Sequence, residues 1–140
     1  MVDITHEKID VDTVLRSVED DRTGGVVFFI GRVRNHSDGH EVIRMAYEGY
    51  DALAKTELGK IEAEVRAKWP VRQMTIIHRL GMLELGEASV LIAVACDHRV
   101  QAFEACQYTI DTLKKRIPVW KKEYGPDGES WVEGCLPEIT

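Results

Sequence analysis

Five cations, Lys114, Lys115, Arg116, Lys121 and Lys122, fall within nine positions around Pro118 and Trp120. The chain that carries them has a formal net charge of −6. Cations concentrated on an acidic protein repel one another, and a bound anion or carboxylate offsets that repulsion directly. A sheltered lysine among them can have its pKa lowered, which suits it to proton transfer or to stabilising negative charge on a reacting oxygen.

Periodicity separates these side chains. A helix is predicted from Arg99 to Ile117, with Phe103, Cys106, Ile110, Leu113 and Ile117 as its apolar stripe. Lys114 borders that stripe, four residues after Ile110, and is predicted to be partly sheltered. Lys115 points away from it and follows Asp111 by four residues, the order of a surface ion pair. Pro118 stops the helix. In the strand that follows, Lys121 and Lys122 must point to opposite faces, so only one of them can share a pocket with Lys114. The plainer reading of the cluster is a helix C-terminus whose cations complement its dipole.

A second constellation, Asp97-His98-Arg99, opens the same helix, with Asp97 as the expected N-cap. His98, Arg99 and the free backbone N–H groups there would suit a phosphate. Arg99 and Lys114 lie fifteen residues apart on one helix, roughly 22 Å at 1.5 Å per residue. They therefore serve different sites, or a dimer brings Arg99 of one subunit to Lys114 of the other. His78-Arg79 ends a strand and reads as rim polarity. Cys96, Cys106 and Cys135 form no CxxC and have no ligand-spaced histidines, so neither a disulfide nor a zinc site is indicated. Cys96 and Cys106 read as small core residues; the alternative is a Cys96 thiolate paired with His98 in a thioesterase-like hydrolase.

The elements that must position these residues follow from pattern. Residues 10–20 read as a short amphipathic helix with Val11, Val14, Leu15 and Val18 at helical spacing. Gly24-Gly25 release a strand, VVFFIGRVR, whose period of two puts Val26, Phe28, Ile30, Arg32 and Arg34 on one face. A loop over 35–39, a strand around 42–47 and a helix from Ala52 to Trp69 come next. Val71–Arg79 and Ala88–Cys96 are strands separated by LGMLELGE, the second apolar throughout and so central. A hairpin pairing 119–124 with 130–132 closes the chain, with Trp120 and Trp131 as its expected core. This predicts one α+β domain over residues 1–140 with a mixed or mostly antiparallel sheet. The longest apolar run, Val90 to Cys96, is too short for a bilayer, and the N-terminus lacks a signal-peptide pattern, so the expected location is cytoplasmic. The negative net charge argues against a nucleic-acid partner.

Six segments together are specific: GGVVFFIGRVRNH (24–36), YEGY (47–50), IIHRLGMLELGE (76–87), DHRVQAFEA (97–105), LKKRIPVWKKE (113–123) and DGESWVE (127–133). In this order they resemble the molybdopterin synthase large-subunit family, MoaE. The resemblance implies an α/β hammerhead-type fold and a central homodimer within a heterotetramer, with a small ubiquitin-like subunit docked at each end. That carrier ends in a Gly-Gly thiocarboxylate and donates sulfur to cyclic pyranopterin monophosphate, forming the molybdopterin dithiolene. The family's essential lysines fall on Lys114 and Lys121. Its phosphate contacts fall on Arg34, His98 and Arg99, with Arg32, Val33, Lys122 and Glu123 lining the site. No cofactor and no metal are implied, and the sulfur arrives on a partner, so no cysteine here need react. Some members carry an arginine after the WVE segment that reaches the neighbouring site; the tail Gly134–Thr140 has no basic residue. The competing reading is a non-catalytic dimeric module that binds a phosphorylated metabolite or a peptide C-terminus.

Overall fold

The computed structural model describes residues 1–37 and 39–135, with side chains described through residue 129. In chain order the strands and helices begin with β1 (Val2–Thr5), α1 (Val11–Ser17) and β2 (Gly25–Arg32). They continue with β3 (His36–Ser37), β4 (His40–Glu41), β5 (Arg44–Gly49), α2 (Asp51–Lys68) and β6 (Val71–Arg79). The last are β7 (Gly81–Glu84), β8 (Ala88–Cys96), α3 (Arg99–Arg116), β9 (Val119–Gly125) and β10 (Gly128–Cys135).

The apolar run of β8 dictates the main sheet, ordered β1-β6-β8-β2. Only β1 runs parallel to its neighbour; β8 is antiparallel to both β6 and β2. Alternate β8 side chains feed two cores because both faces are covered. Val90, Ile92, Val94 and Cys96 meet α2 and α3, whereas Leu91, Ala93 and Ala95 meet Val14 and Val18 around α1. On α2, Ala54, Leu58, Ile61 and Val65 are fully buried at helical spacing, and the helix ends before Pro70. The second sheet, β10-β9-β5-β7, is antiparallel and carries the C-terminal hairpin. Val33, Val42, Met45 and Leu83 form a third, smaller core.

The expected α+β architecture is present, with local differences. The first strand, β1, alternates Val2 and Ile4 with Asp3 and Thr5 but is only four residues long; it is held in register beside β6, and the N-terminal ammonium binds Glu62 at 2.9 Å and the Met74 carbonyl at 2.8 Å. Part of LGMLELGE is strand β7. The stripe on α3 is Ala102, Ala105, Cys106, Thr109 and Leu113, while Phe103 is 61% exposed. Small residues let that face approach the sheet and α2 closely, and Phe103 instead stands beside Phe29 at the sheet's edge. Asp97 does not cap α3: it binds Arg72 at 2.9 and 3.2 Å, and His98 is the N-cap without a side-chain bond. Gly24 is required where β2 begins, because a Cβ there would lie 2.6 Å from the Asp97 carbonyl oxygen. Among the described residues no helix is long and apolar enough to cross a membrane. The tail after Cys135, Asp38, and the side chains of Trp131 and Cys135 lie outside the described residues.

Candidate active site

Two elements bring the lysines together. The last turn of α3 carries Lys114, and Pro118 directs the chain into β9, whose pairing with β5 sets Lys121 directly across from Tyr47. Lys114 and Lys121 line one cavity of about 150 Å³, with Tyr47, His78, Ser89 and Trp120 among its walls. Lys114 remains exposed as a residue, so the shelter it has comes from the cavity rather than from the apolar stripe. Lys122 falls on the other face of β9, where its Nζ lies 2.8 Å from a Glu129 carboxylate oxygen, a bond that raises its pKa. The alternation of the strand thus selects Lys121 over Lys122.

The cavity floor is neutral and polar. His78 is only 5% exposed, and burial pushes its pKa down to about 4, assisted by the charge of Lys114 and opposed by a 2.9 Å bond between Nδ1 and the Arg79 carbonyl. Tyr47 meets the imidazole edge-on with centroids 5.4 Å apart. Burial raises the Tyr47 pKa, the Ser89 hydroxyl lowers it, and Glu123 raises it further. Trp120 stacks edge-on against Tyr50 at the rim, 5.7 Å between centroids. His78 and Arg79 are therefore not rim residues: both are buried, and Arg79 pairs with Glu87 at 3.3 Å. The sequence did hold a signal for His78. Period two from Met74 and Ile76 puts it on the face that enters the larger core.

The remaining expected site residues are more dispersed. Glu123 shares the Lys121 face of β9 and is buried, its Oε1 without a hydrogen-bond partner. Val33 is a core residue whose N–H donates to the Glu87 carbonyl at 3.1 Å. A bulge between Gly31 and Arg32 breaks the expected one-face run of β2, and Arg32 turns its Nε onto the Gly86 carbonyl at 2.9 Å. Arg34, His98 and Arg99 are exposed, the last two at the opposite end of α3 from Lys114.

Packing explains one further member of the cation cluster. Arg116 is structural: it binds Glu64 at 2.7 and 2.8 Å and Glu57 at 3.3 Å, tying α3 to α2. The expected Lys115–Asp111 pair does not form; both side chains are exposed. The Cys96–His98 alternative also fails on geometry. Cys96 is fully buried with its thiol pKa raised, and His98 is exposed. Burial likewise lifts the Cys106 thiol to about 11. Among the described residues, no three His, Cys, Asp or Glu side chains group as metal ligands do.

Comparison with known proteins bears on this geometry. Residues 4–116 match the family model described as MoaE protein. The human molybdopterin synthase catalytic subunit is 40% identical over 131 residues, which is 94% of this chain and 70% of the human one. The crystal structure of molybdopterin synthase from Staphylococcus aureus superposes with a TM-score of 0.88 at 35% identity, covering 94% of this chain and 96% of that one. A Helicobacter pylori chain, solved as a protein–protein complex of subunits 1 and 2 of molybdopterin-converting factor, shares the fold at a TM-score of 0.77 and 21% identity, covering 94% and 90%.

Proposed function

The chain belongs to the MoaE family of molybdopterin synthase catalytic subunits, and from that premise we propose that it moves sulfur from the C-terminal thiocarboxylate of a small Gly-Gly carrier to cyclic pyranopterin monophosphate. Two transfers, through an intermediate bearing one sulfur, complete the dithiolene. Residues 1–140 act as one large-subunit domain, in the cytoplasm, without a metal or cofactor.

One observation carries this reading: Lys114 and Lys121, from different elements, line the same cavity. Transfer of sulfur away from an acyl carbon develops negative charge on the acyl oxygen, and two ammonium groups stabilise it. A cavity of about 150 Å³ suits a chain end without side chains, entering as an extended segment. Lys114 then assists proton transfer as the cyclic phosphate opens and water hydrolyses the acyl intermediate.

Arg34, His98 and Arg99 hold the substrate phosphate, with Arg32, Val33, Lys122 and Glu123 lining the pterin site. Guanidinium groups suit that task because their planar fork matches phosphate oxygens. The length of α3 separates Arg99 from Lys114 by roughly 22 Å within one chain. The functional unit is accordingly a homodimer, flanked by two carriers, in which Arg99 of the partner subunit completes the site of Lys114.

The decisive assay mixes the protein with thiocarboxylated carrier and cyclic pyranopterin monophosphate, and reads molybdopterin through its fluorescent oxidation product. Lys114→Ala is expected to abolish product while circular dichroism and carrier binding persist. A near-normal rate from that variant would sink the assignment.

A further inference from the structure

Strand β2 stands at a sheet edge but has the composition of a central strand. Among the described residues it pairs only with β8. Residues 26–30 are apolar without interruption, as expected of a strand covered on every side. Edge strands are ordinarily guarded by a charge, a proline or a bulge in mid-strand. The one bulge in β2 comes at its end, between Gly31 and Arg32, and no charge or proline precedes it. Val26 and Ile30 are exposed on one face of the sheet and Phe29 on the other.

The helix above continues this surface. On the side of α3 that meets α2, Tyr108 and Arg116 both bind Glu64. The opposite side carries Arg99, Phe103, Ile110 and Lys114, which fall within about 60° of one another at about 100° per residue. That stripe reads the same from either end: cation, apolar, apolar, cation. An antiparallel copy of α3, related by an axis between Cys106 and Gln107, therefore sets Phe103 against the partner's Ile110 and Arg99 beside the partner's Lys114.

The strand obeys the same axis. A Cβ on Gly25 would lie 3.0 Å from the Arg99 Cα, and Val27 to Phe29 share a groove with Phe103 and Ile110, so β2 and α3 run the same way from a common start. The axis lies roughly 11 Å along the helix at 1.5 Å per residue, and Phe28 about 10 Å along the strand at 3.3 Å per residue. Antiparallel pairing about Phe28 puts Val27 opposite the partner's Phe29 and Val26 opposite the partner's Ile30. Each pair then shares one face of the sheet, as the pleat requires. Strands lie about 4.8 Å apart, and α3 packs over both β8 and β2, so the two helices come to about 10 Å, a normal packing distance. Asp111 faces the basic first turn of the partner's helix, a charge-complementary contact.

We propose that the β2 edge and the outer side of α3 form the surface through which two copies of this chain join, merging their four-stranded sheets into one with Phe28 on the twofold axis. The inference rests on the homodimer of the proposed function and names its surface. The partner's Arg99 reaches Lys114 because both residues belong to the joined face, and the substrate phosphate offsets the repulsion between them.

Cross-linking and light scattering test it. In a Cys135→Ser background, mild oxidation of Phe28→Cys is expected to give a covalent dimer, since antiparallel neighbours bring Cα atoms to about 4.5–5.5 Å, within disulfide range. The same background without the new cysteine should stay uncross-linked, because Cys96 and Cys106 are buried. Phe103→Glu and Val26→Lys, both at exposed positions, should each move the light-scattering mass toward the monomer with circular dichroism unchanged. Turnover should fall by roughly tenfold or more, because part of each site leaves with the partner. Absence of the cross-link, or a dimer that persists in both variants, refutes this surface and leaves the homodimer to another one. A wild-type monomer refutes both. Cross-linked dimers of a protein that makes no molybdopterin support the surface and overturn the catalytic reading alone. If either charged variant fails to fold, the cross-link decides.

Discussion

At the scale of single residues, the site is a contrast between charge at the mouth and neutrality beneath it. Lys114 and Lys121 supply charge, and His78, Tyr47 and Ser89 accept it without opposing it. That neutrality has a thermodynamic signature. The fold lowers the affinity of His78 for a proton from the ordinary 6.5 to about 4, mainly by burying it. The unfolded chain therefore binds this proton at higher pH than the native state does. Its contribution to stability is complete above about pH 6.5 and is lost as the pH falls through about 4, a difference worth ~3 kcal/mol at roughly 1.4 kcal/mol per pKa unit. His78→Gln cannot titrate there. Denaturant unfolding at a series of pH values should show the stability gap between wild type and this variant narrowing on acidification from 6.5 to 4. A gap that stays constant across that window would mean the imidazole is not held neutral by the fold.

At the scale of elements, α3 carries the design, because its last turn aims Lys114 and its first turn presents His98 and Arg99. Its position depends on Arg116, bound to Glu57 and Glu64 of α2. These pairs are partly solvated, with about a third of the Arg116 side chain exposed, so their worth is modest. Arg116→Ala should lower stability by about 1 kcal/mol at low salt and by less at high salt, since screening weakens what remains exposed. Chemical denaturation at two ionic strengths checks this, and equal losses at both would assign the effect to packing instead. The elements that bury continuous or periodic apolar surface were legible in the sequence: β6, β8, α2 and α3 lie where the pattern put them. Strand alternation allowed only one of Lys121 and Lys122 to share a pocket with Lys114; the family resemblance named Lys121, and the β5–β9 register sets it in the cavity wall. What pattern could not reach depended on tertiary context. The strand β1 is specified by its parallel partner, and β7 by pairing with β5 across a segment that reads as a turn. Asp97 left its capping position for Arg72, which no local rule encodes. Arg116 read as a dipole-complementing cation because its carboxylate partners lie more than fifty residues away.

At the scale of the whole molecule, the length of α3 bears on the proposed assembly. Arg99 and Lys114 sit at opposite ends of one rigid element, so a single chain cannot present both to one small substrate. A twofold-related pair of chains can, if the first turn of one α3 meets the last turn of the other. Such an interface is self-complementary, and each dimer would then hold two equal composite sites. This arrangement predicts complementation. Arg99→Ala and Lys114→Ala homodimers should each be inactive, yet mixing them under conditions that exchange subunits should restore activity. A mixed dimer has one site with both native residues and one with neither, so random exchange leaves about a quarter of all sites intact. Light scattering of the wild type should show a dimer at the same concentrations. Recovery near that level places Arg99 and Lys114 of different chains in one site. If exchange is demonstrated by mass spectrometry and activity stays at the level of the parents, each chain works with its own pair of ends, and the 22 Å gap must be spanned by something other than a second subunit.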